Sequence, residues 1–194
     1  MNIYCVDCKN VYCYLIETRE GFLLFDAGWV NKYGIFKDSL KAINLSPKDI
    51  RWFIVSHFHI DHAGLAGILQ NNNKDFIVFD NQEKQIDEME KLIENKKYTY
   101  KKIDKEKIIR KKINESRDWL KGIGIGGEII QIFGHGEESI VLILDNGTAF
   151  IGDLPVIYEY NELVKKDWDI IISKNVKHVF SAHSKDREIE RIKL

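Results

Sequence analysis

The 194-residue chain lacks much of what would mark several common classes of protein. Its 29 basic and 30 acidic residues nearly cancel, leaving a formal net charge of −1. That balance gives no global attraction to nucleic acid or to an anionic membrane surface. No apolar run approaches the roughly 18 residues needed to span a bilayer. The first residues, Met1-Asn2-Ile3-Tyr4-Cys5-Val6-Asp7, have neither the basic segment nor the apolar stretch of a secretory leader, so the cytoplasm is the expected compartment. Cysteine is confined to Cys5, Cys8 and Cys13. The Cys5-x-x-Cys8 spacing has no second pair to complete a zinc ribbon and no following helix to activate a thiol, so reduced bystander thiols are expected. Internal repeats and low-complexity linkers are absent. The length suits one domain, residues 1–194, with a real core.

What is present is concentrated. Ser56-His57-Phe58-His59-Ile60-Asp61-His62-Ala63-Gly64 puts three histidines and a carboxylate into six positions. It follows Arg51-Trp52-Phe53-Ile54-Val55, which reads as a buried strand, and precedes the apolar Leu65, Ile68 and Leu69 of a helix. The cluster therefore falls in the turn between a strand end and a helix start, where α/β folds place their chemistry. Neutral imidazole and carboxylate are preferred ligands of zinc and its neighbours. Four such side chains this close together would place two of them toward a second ion. A closed structural site would instead be rich in cysteine.

The stretch resembles the signature of the metallo-β-lactamase superfamily, and further parts of that pattern follow in order. Asp26 ends Leu23-Leu24-Phe25-Asp26, His135 stands alone between two late strands, Asp153 follows Phe150-Ile151-Gly152, and His183 follows Val179-Phe180-Ser181-Ala182. Five of the six histidines fall on motif positions, His178 being the exception. The resemblance implies an αββα sandwich. From periodicity alone the reading is only α/β. It also implies one metal on His57, His59 and His135, a second on Asp61, His62 and His183, Asp153 bridging them, and Asp26 holding a ligand loop or imidazole in place. Two zinc ions are implied, with iron or manganese as alternatives.

The implied chemistry is hydrolytic: a metal-bridging hydroxide attacks an ester, thioester or lactone, and Asp61 orients the nucleophile and shuttles its proton. Small-molecule lactonases are the nearest functional pattern, so a small-molecule substrate is expected and neither a membrane nor a nucleic-acid partner. The alternatives are an iron-dependent sulfur dioxygenase with one metal on His57, His135 and Asp153, and a phosphodiesterase or ribonuclease using the Lys-rich stretch 84–112. The loop at His135 departs from the family's usual Gly-His-Thr-Pro-Gly-Ser, reading Gly134-His135-Gly136-Glu137-Glu138-Ser139. Two carboxylates at the mouth would disfavour anionic substrates.

Along the rest of the chain, strands are expected at 11–17, 22–25, 76–79, 128–133, 139–144, 148–151, 170–172 and 178–181. Helices are expected around 35–43 and 159–166. Residues 81–120 read as a Lys-rich helical insertion of two helices joined near Tyr98-Thr99-Tyr100. Trp29, Tyr33, Tyr98, Tyr100 and Trp119 are candidates for a substrate wall. Tyr158 and Tyr160 read as packing residues.

Overall fold

The computed structural model describes residues 1–158, 160–184 and 187–188. The first half of the chain builds a six-stranded sheet: β1 (Ile3–Asp7), β2 (Tyr12–Thr18), β3 (Gly21–Phe25), β4 (Ile50–Ile54), β5 (Asp75–Phe79) and β6 (Ile109–Lys111), hydrogen-bonded in that order. β1 to β3 are antiparallel neighbours, and β3 to β6 run parallel. The parallel pairs need crossovers. These are α1 (Tyr33–Ala42), α2 (Ala66–Asn71) and α3 (Gln85–Asn95). After α4 (Ser116–Ile123) comes a five-stranded sheet of β7 (Gly127–Gln131), β8 (Ile140–Leu144), β9 (Thr148–Phe150), β10 (His178–Phe180) and β11 (Arg187–Glu188), with α5 (Glu162–Ser173) crossing from β9 to the parallel β10.

Strand alternation sorts the side chains into layers. On β2, Cys13 and Leu15 join Leu24, Phe53 and Phe76 against Phe36, Leu40, Leu69 and Met89 of the first three helices. Their neighbours Tyr14 and Ile16, with Leu23 and Phe25, face Ile140, Leu142 and Phe150 of the second sheet. On β8 the odd residues Val141 and Ile143 turn the other way, onto Val164, Trp168 and Ile171 of α5. The four layers are thus helices, sheet, sheet, helix: the αββα sandwich. Each large side chain so buried stabilises by about 1.5–3 kcal/mol relative to exposure.

The structure corrects three local readings. Ile170-Ile171-Ile172 is the last turn of α5, not a strand, because Val164, Trp168 and Ile171 form a helical stripe that a three-residue apolar run conceals. The expected helix start at Glu159 lies outside the described residues. The stretch 81–120 does carry two helices, but the second is only Ser116–Ile123, and Ile109–Lys111 between them is a strand that extends the first sheet. Part of its positive charge is neutralised by neighbours: Lys102 with Glu94, Lys105 with Asp87, Lys107 with Asp104, Arg110 with Glu83 and Arg117 with Asp145. Trp119 packs on Phe79 in the inter-sheet core, and Tyr100 bonds the carboxylate of Glu90, so neither is a wall residue.

Candidate metal centre

β3 and β4 are parallel neighbours with Phe25 opposite Ile54, so their carboxyl ends deliver Asp26 and the Ser56–His62 turn side by side. β9 and β10 repeat the arrangement in the second sheet, with Phe150 opposite Phe180, delivering Asp153 and His183. The two sets of strand ends meet. Ile140 N–H donates to the Ser56 carbonyl (2.8 Å), and Tyr12 N–H donates to the Ala182 carbonyl (2.8 Å). The loop after β7 carries His135 into the same gap.

The seven residues His57, His59, Asp61, His62, His135, Asp153 and His183 converge there in two groups, each with its ligand-type atoms within 4.8 Å of one another. In the first group, His57 Nε2 lies 3.1 Å from His135 Nε2, and His135 Nε2 lies 3.3 Å from His59 Nδ1. In the second, Asp61 Oδ2 is 3.2 Å from His183 Nε2 and 3.7 Å from His62 Nε2. Asp153 faces both groups. Its Oδ2 points at His57 and His135 (3.9 and 3.7 Å), and its Oδ1 at His62 and His183 (3.2 and 3.3 Å).

The far side of the rings is fixed. Asp26, fully buried with a left-handed backbone (φ 67°), accepts Ser56 N–H at Oδ1 (2.7 Å) and lies 2.9 Å from His62 Nδ1 at Oδ2. Ser56 Oγ donates to Asp26 Oδ2 (3.1 Å) and sits 2.9 Å from His57 Nδ1. His183 Nδ1 donates to the Asn10 carbonyl (2.5 Å). Each of these three histidines therefore spends Nδ1 on the protein and turns Nε2 toward the gap, the pattern by which a partner sets the ligating tautomer.

The charges follow from this geometry. Burial holds His57 well below its ordinary value, reinforced by the imidazoles around it, and burial likewise lowers His135. Burial opposes a charge on His62 too, but the carboxylates of Asp26 and Asp153 outweigh it and push His62 up to about 10. Asp153 and Asp61 hold His183 at about 10. Burial also opposes a charge on Asp153, yet His183 and His62 depress it below the usual carboxylate range.

Among the described residues, two buried atoms in the gap find no hydrogen-bond partner, His62 Nε2 and Asp153 Oδ1. With its Nδ1 proton directed at Asp26, His62 presents a lone pair to an ionised oxygen 3.2 Å away. Two lone pairs at that range repel unless a cation stands between them, either a proton or a metal. The donor set of imidazole nitrogen and carboxylate oxygen fits zinc, iron or manganese.

The chain matches the family described as the Metallo-beta-lactamase superfamily over residues 6–154. It belongs to that superfamily. Among curated proteins, this superfamily member is 34% identical over 84 residues to an N-acyl homoserine lactonase of Bacillus thuringiensis, a match covering 31% of this chain and 34% of the relative. It is 35% identical over 71 residues to a 7,8-dihydropterin-6-methyl-4-(beta-D-ribofuranosyl)-aminobenzene-5'-phosphate synthase of Methanocaldococcus jannaschii, covering 34% and 24%. The match thus spans about a third or less of the length of these relatives. A metallo-beta-lactamase family protein from Thermus thermophilus shares the fold at TM-score 0.74 and 14% identity, over 98% of this chain and 76% of that one. A superfamily protein from Sulfolobus tokodaii does so at 0.70 and 19%, over 98% and 83%. Among the described residues, no helix is long and apolar enough to cross a membrane.

Three side chains that support the cluster have no place in the motif. Ser56 links Asp26 to His57, and its position just ahead of His57 is the only signal. Gln82, fully buried, donates from Nε2 to the Val55 carbonyl (2.9 Å) and so fixes the end of β4. Asp167 accepts the Phe133 and Gly134 N–H groups and anchors the His135 loop to α5. Burial raises its carboxyl, and those two bonds pull it partly back. Its spacing from Val164 and Ile171 marks it as a polar residue on a buried stripe.

Proposed function

We propose that the protein is a dinuclear metal-dependent hydrolase of an ester, thioester or lactone, with zinc as its metal. The observation that carries this reading is Asp153, whose two carboxylate oxygens each face a separate donor group. His57, His59 and His135 would hold one ion, Asp61, His62 and His183 the other, and Asp153 would serve both. When bound, such a pair supplies a nucleophilic water at neutral pH and a Lewis acid for the substrate oxygen. The protein's own part is positioning. Asp26 and Ser56 fix the rings of His62 and His57, Asn10 fixes His183, and Asp167 fixes the loop of His135. Burial opposes a charge on Asp61, but His183 and His62 outweigh it and keep the group ionised. In this reading Asp61 would orient the attacking water and pass its proton on. A cavity of about 300 Å³ between His135, Asp153, Val156 and His183 is at the small end of the range for a small-molecule site. The partial similarity to a lactonase supports the same reaction class.

Elemental mass spectrometry of protein purified without chelators tests the metal content. About two zinc ions per chain, with turnover of at least one member of a panel of lactones, thioesters and esters, is the expected result. A single iron with oxygen uptake would overturn it in favour of a dioxygenase.

Asp26→Asn is a further test. The amide cannot accept both Ser56 N–H and the His62 Nδ1 proton, so a stability loss of about 2–3 kcal/mol is expected in chelator. Metal affinity should fall by roughly 10–100-fold. Chemical denaturation and competitive metal titration read the two effects separately.

A further inference from the structure

A second cavity, about 390 Å³, opens on the His183 side of the centre and includes Lys9, Asn10, Trp29, Lys32 and Tyr98 in its wall. Two hydrogen bonds tie it to the candidate site. The Asn10 carbonyl accepts His183 Nδ1–H, and Val30 N–H, also in the wall, donates to the carbonyl of Ile60, next to Asp61 (2.9 Å). The wall therefore touches His183 through Asn10, and through Val30 it touches Ile60, the chain neighbour of Asp61.

The wall of this cavity is basic. Two lysines line it and no carboxylate does. Among the described residues, no ion pair neutralises Lys9 or Lys32, whereas the cations of the 102–110 stretch are paired. The loop of His135, with Glu137 and Glu138, contributes no residue to this wall. Trp29 and Tyr98 add aromatic faces suited to a hydrocarbon or planar linker. The backbone here is also unusual. Of eight non-glycine residues with positive φ among those described, three line this cavity: Lys9 (57°), Asn10 (70°) and Asn31 (67°). Asn tolerates this conformation, whereas at Lys9 it is unfavourable.

We propose that this cavity receives an anionic group, carboxylate or phosphate, carried by the substrate and held by Lys9 and Lys32 while the scissile acyl group lies at the metal centre. The inference deepens the hydrolase reading and rests on it for the word substrate. The cavity's affinity for anions stands by itself. It departs from the expectation drawn from Glu137 and Glu138, because neither carboxylate lines this cavity.

The test begins with the metal-free protein, so that anions cannot bind to metal. Chelator-treated protein is titrated with succinate and with inorganic phosphate, followed by NMR, alongside Lys9→Gln, Lys32→Gln and the double variant. At least one probe is expected to bind, weakened about fivefold or more in each single variant and further by added salt. The tighter probe identifies which anion the cavity takes. With metal-loaded enzyme, phenyl hemisuccinate is compared with phenyl butyrate. The anionic ester is expected to be favoured about tenfold in kcat/KM, mainly through KM, and the ratio is expected to fall toward one in the double variant. Failure of both probes to bind, or binding unchanged in the double variant, overturns the proposal. Turnover without preference for the anionic ester also overturns it and leaves the hydrolase standing. Probe binding with no ester cleaved does the reverse.

Discussion

Asp153→Asn is expected to abolish stable metal loading and lower turnover by at least about a thousandfold. The amide keeps the volume of the side chain, so the effect is chemical. One of the two oxygens becomes an NH₂ donor with no lone pair for a cation. Whichever way the amide turns, one donor group loses its shared ligand, since Oδ1 faces His62 and His183 while Oδ2 faces His57 and His135. The side chain also loses the charge that holds protons on His62 and His183 in the metal-free protein. Elemental mass spectrometry and turnover are read on the same sample. A variant that keeps two metals and activity would sink the shared-carboxylate reading.

Gly64→Ala should be as damaging for a different reason. A Cβ at Gly64 would stand 2.0 Å from Val30 N, 2.3 Å from the Ile60 carbonyl oxygen and 2.6 Å from the Trp29 carbonyl carbon. All three are backbone atoms, so no side-chain rotation relieves the clash. The close approach exists because Gly64 N–H donates to the Gly28 carbonyl (3.0 Å) and Val30 N–H to the Ile60 carbonyl (2.9 Å), binding the loop after β3 onto the histidine turn. Stability should fall by at least about 4 kcal/mol, or the chain should fail to fold. Gly34→Ala is the control. Among the described residues nothing lies within 4 Å of its Cβ position, and it sits within α1, so a change between zero and about 1 kcal/mol of stabilisation is expected. Urea denaturation of both variants checks the pair. Equal stability for the two would show that the Gly64 contact yields more easily than its backbone neighbours imply.

Much of the architecture was legible in the sequence because strand ends and motif residues coincide. Apolar runs at 22–25 and 148–151 lead straight into Asp26 and Gly152-Asp153, so a strand reading and a site reading support each other. The residues that escaped did so for physical reasons. β1 (Ile3–Asp7) is an edge strand with only Val6 fully buried, and half-buried edges show little alternation. β6 (Ile109–Lys111) has no fully buried residue, and its backbone pairing with β5 leaves no trace in side-chain polarity. Ile170-Ile171-Ile172 looked like a strand because three consecutive β-branched residues suit one, whereas only Ile171 is buried, on the stripe of α5. Gln82 and Asp167 act on main-chain groups of distant loops, which no local pattern encodes.

The two donor groups have a mechanical meaning beyond chemistry. His57 and His59 come from the first sheet's strand ends, His135 and Asp153 from the second's. Asp61 and His62 likewise answer His183 across the gap. A cation in either group would act as a clasp closing the open end of the sandwich, joining segments from opposite ends of the chain much as a cross-link does. Metal loading at 1,000 times its dissociation constant adds about 4 kcal/mol against unfolding. That gain would be shared by the carboxyl ends of β3, β4, β9 and β10 together, so slow exchange of amide hydrogens at those four strand ends should appear and vanish as one unit.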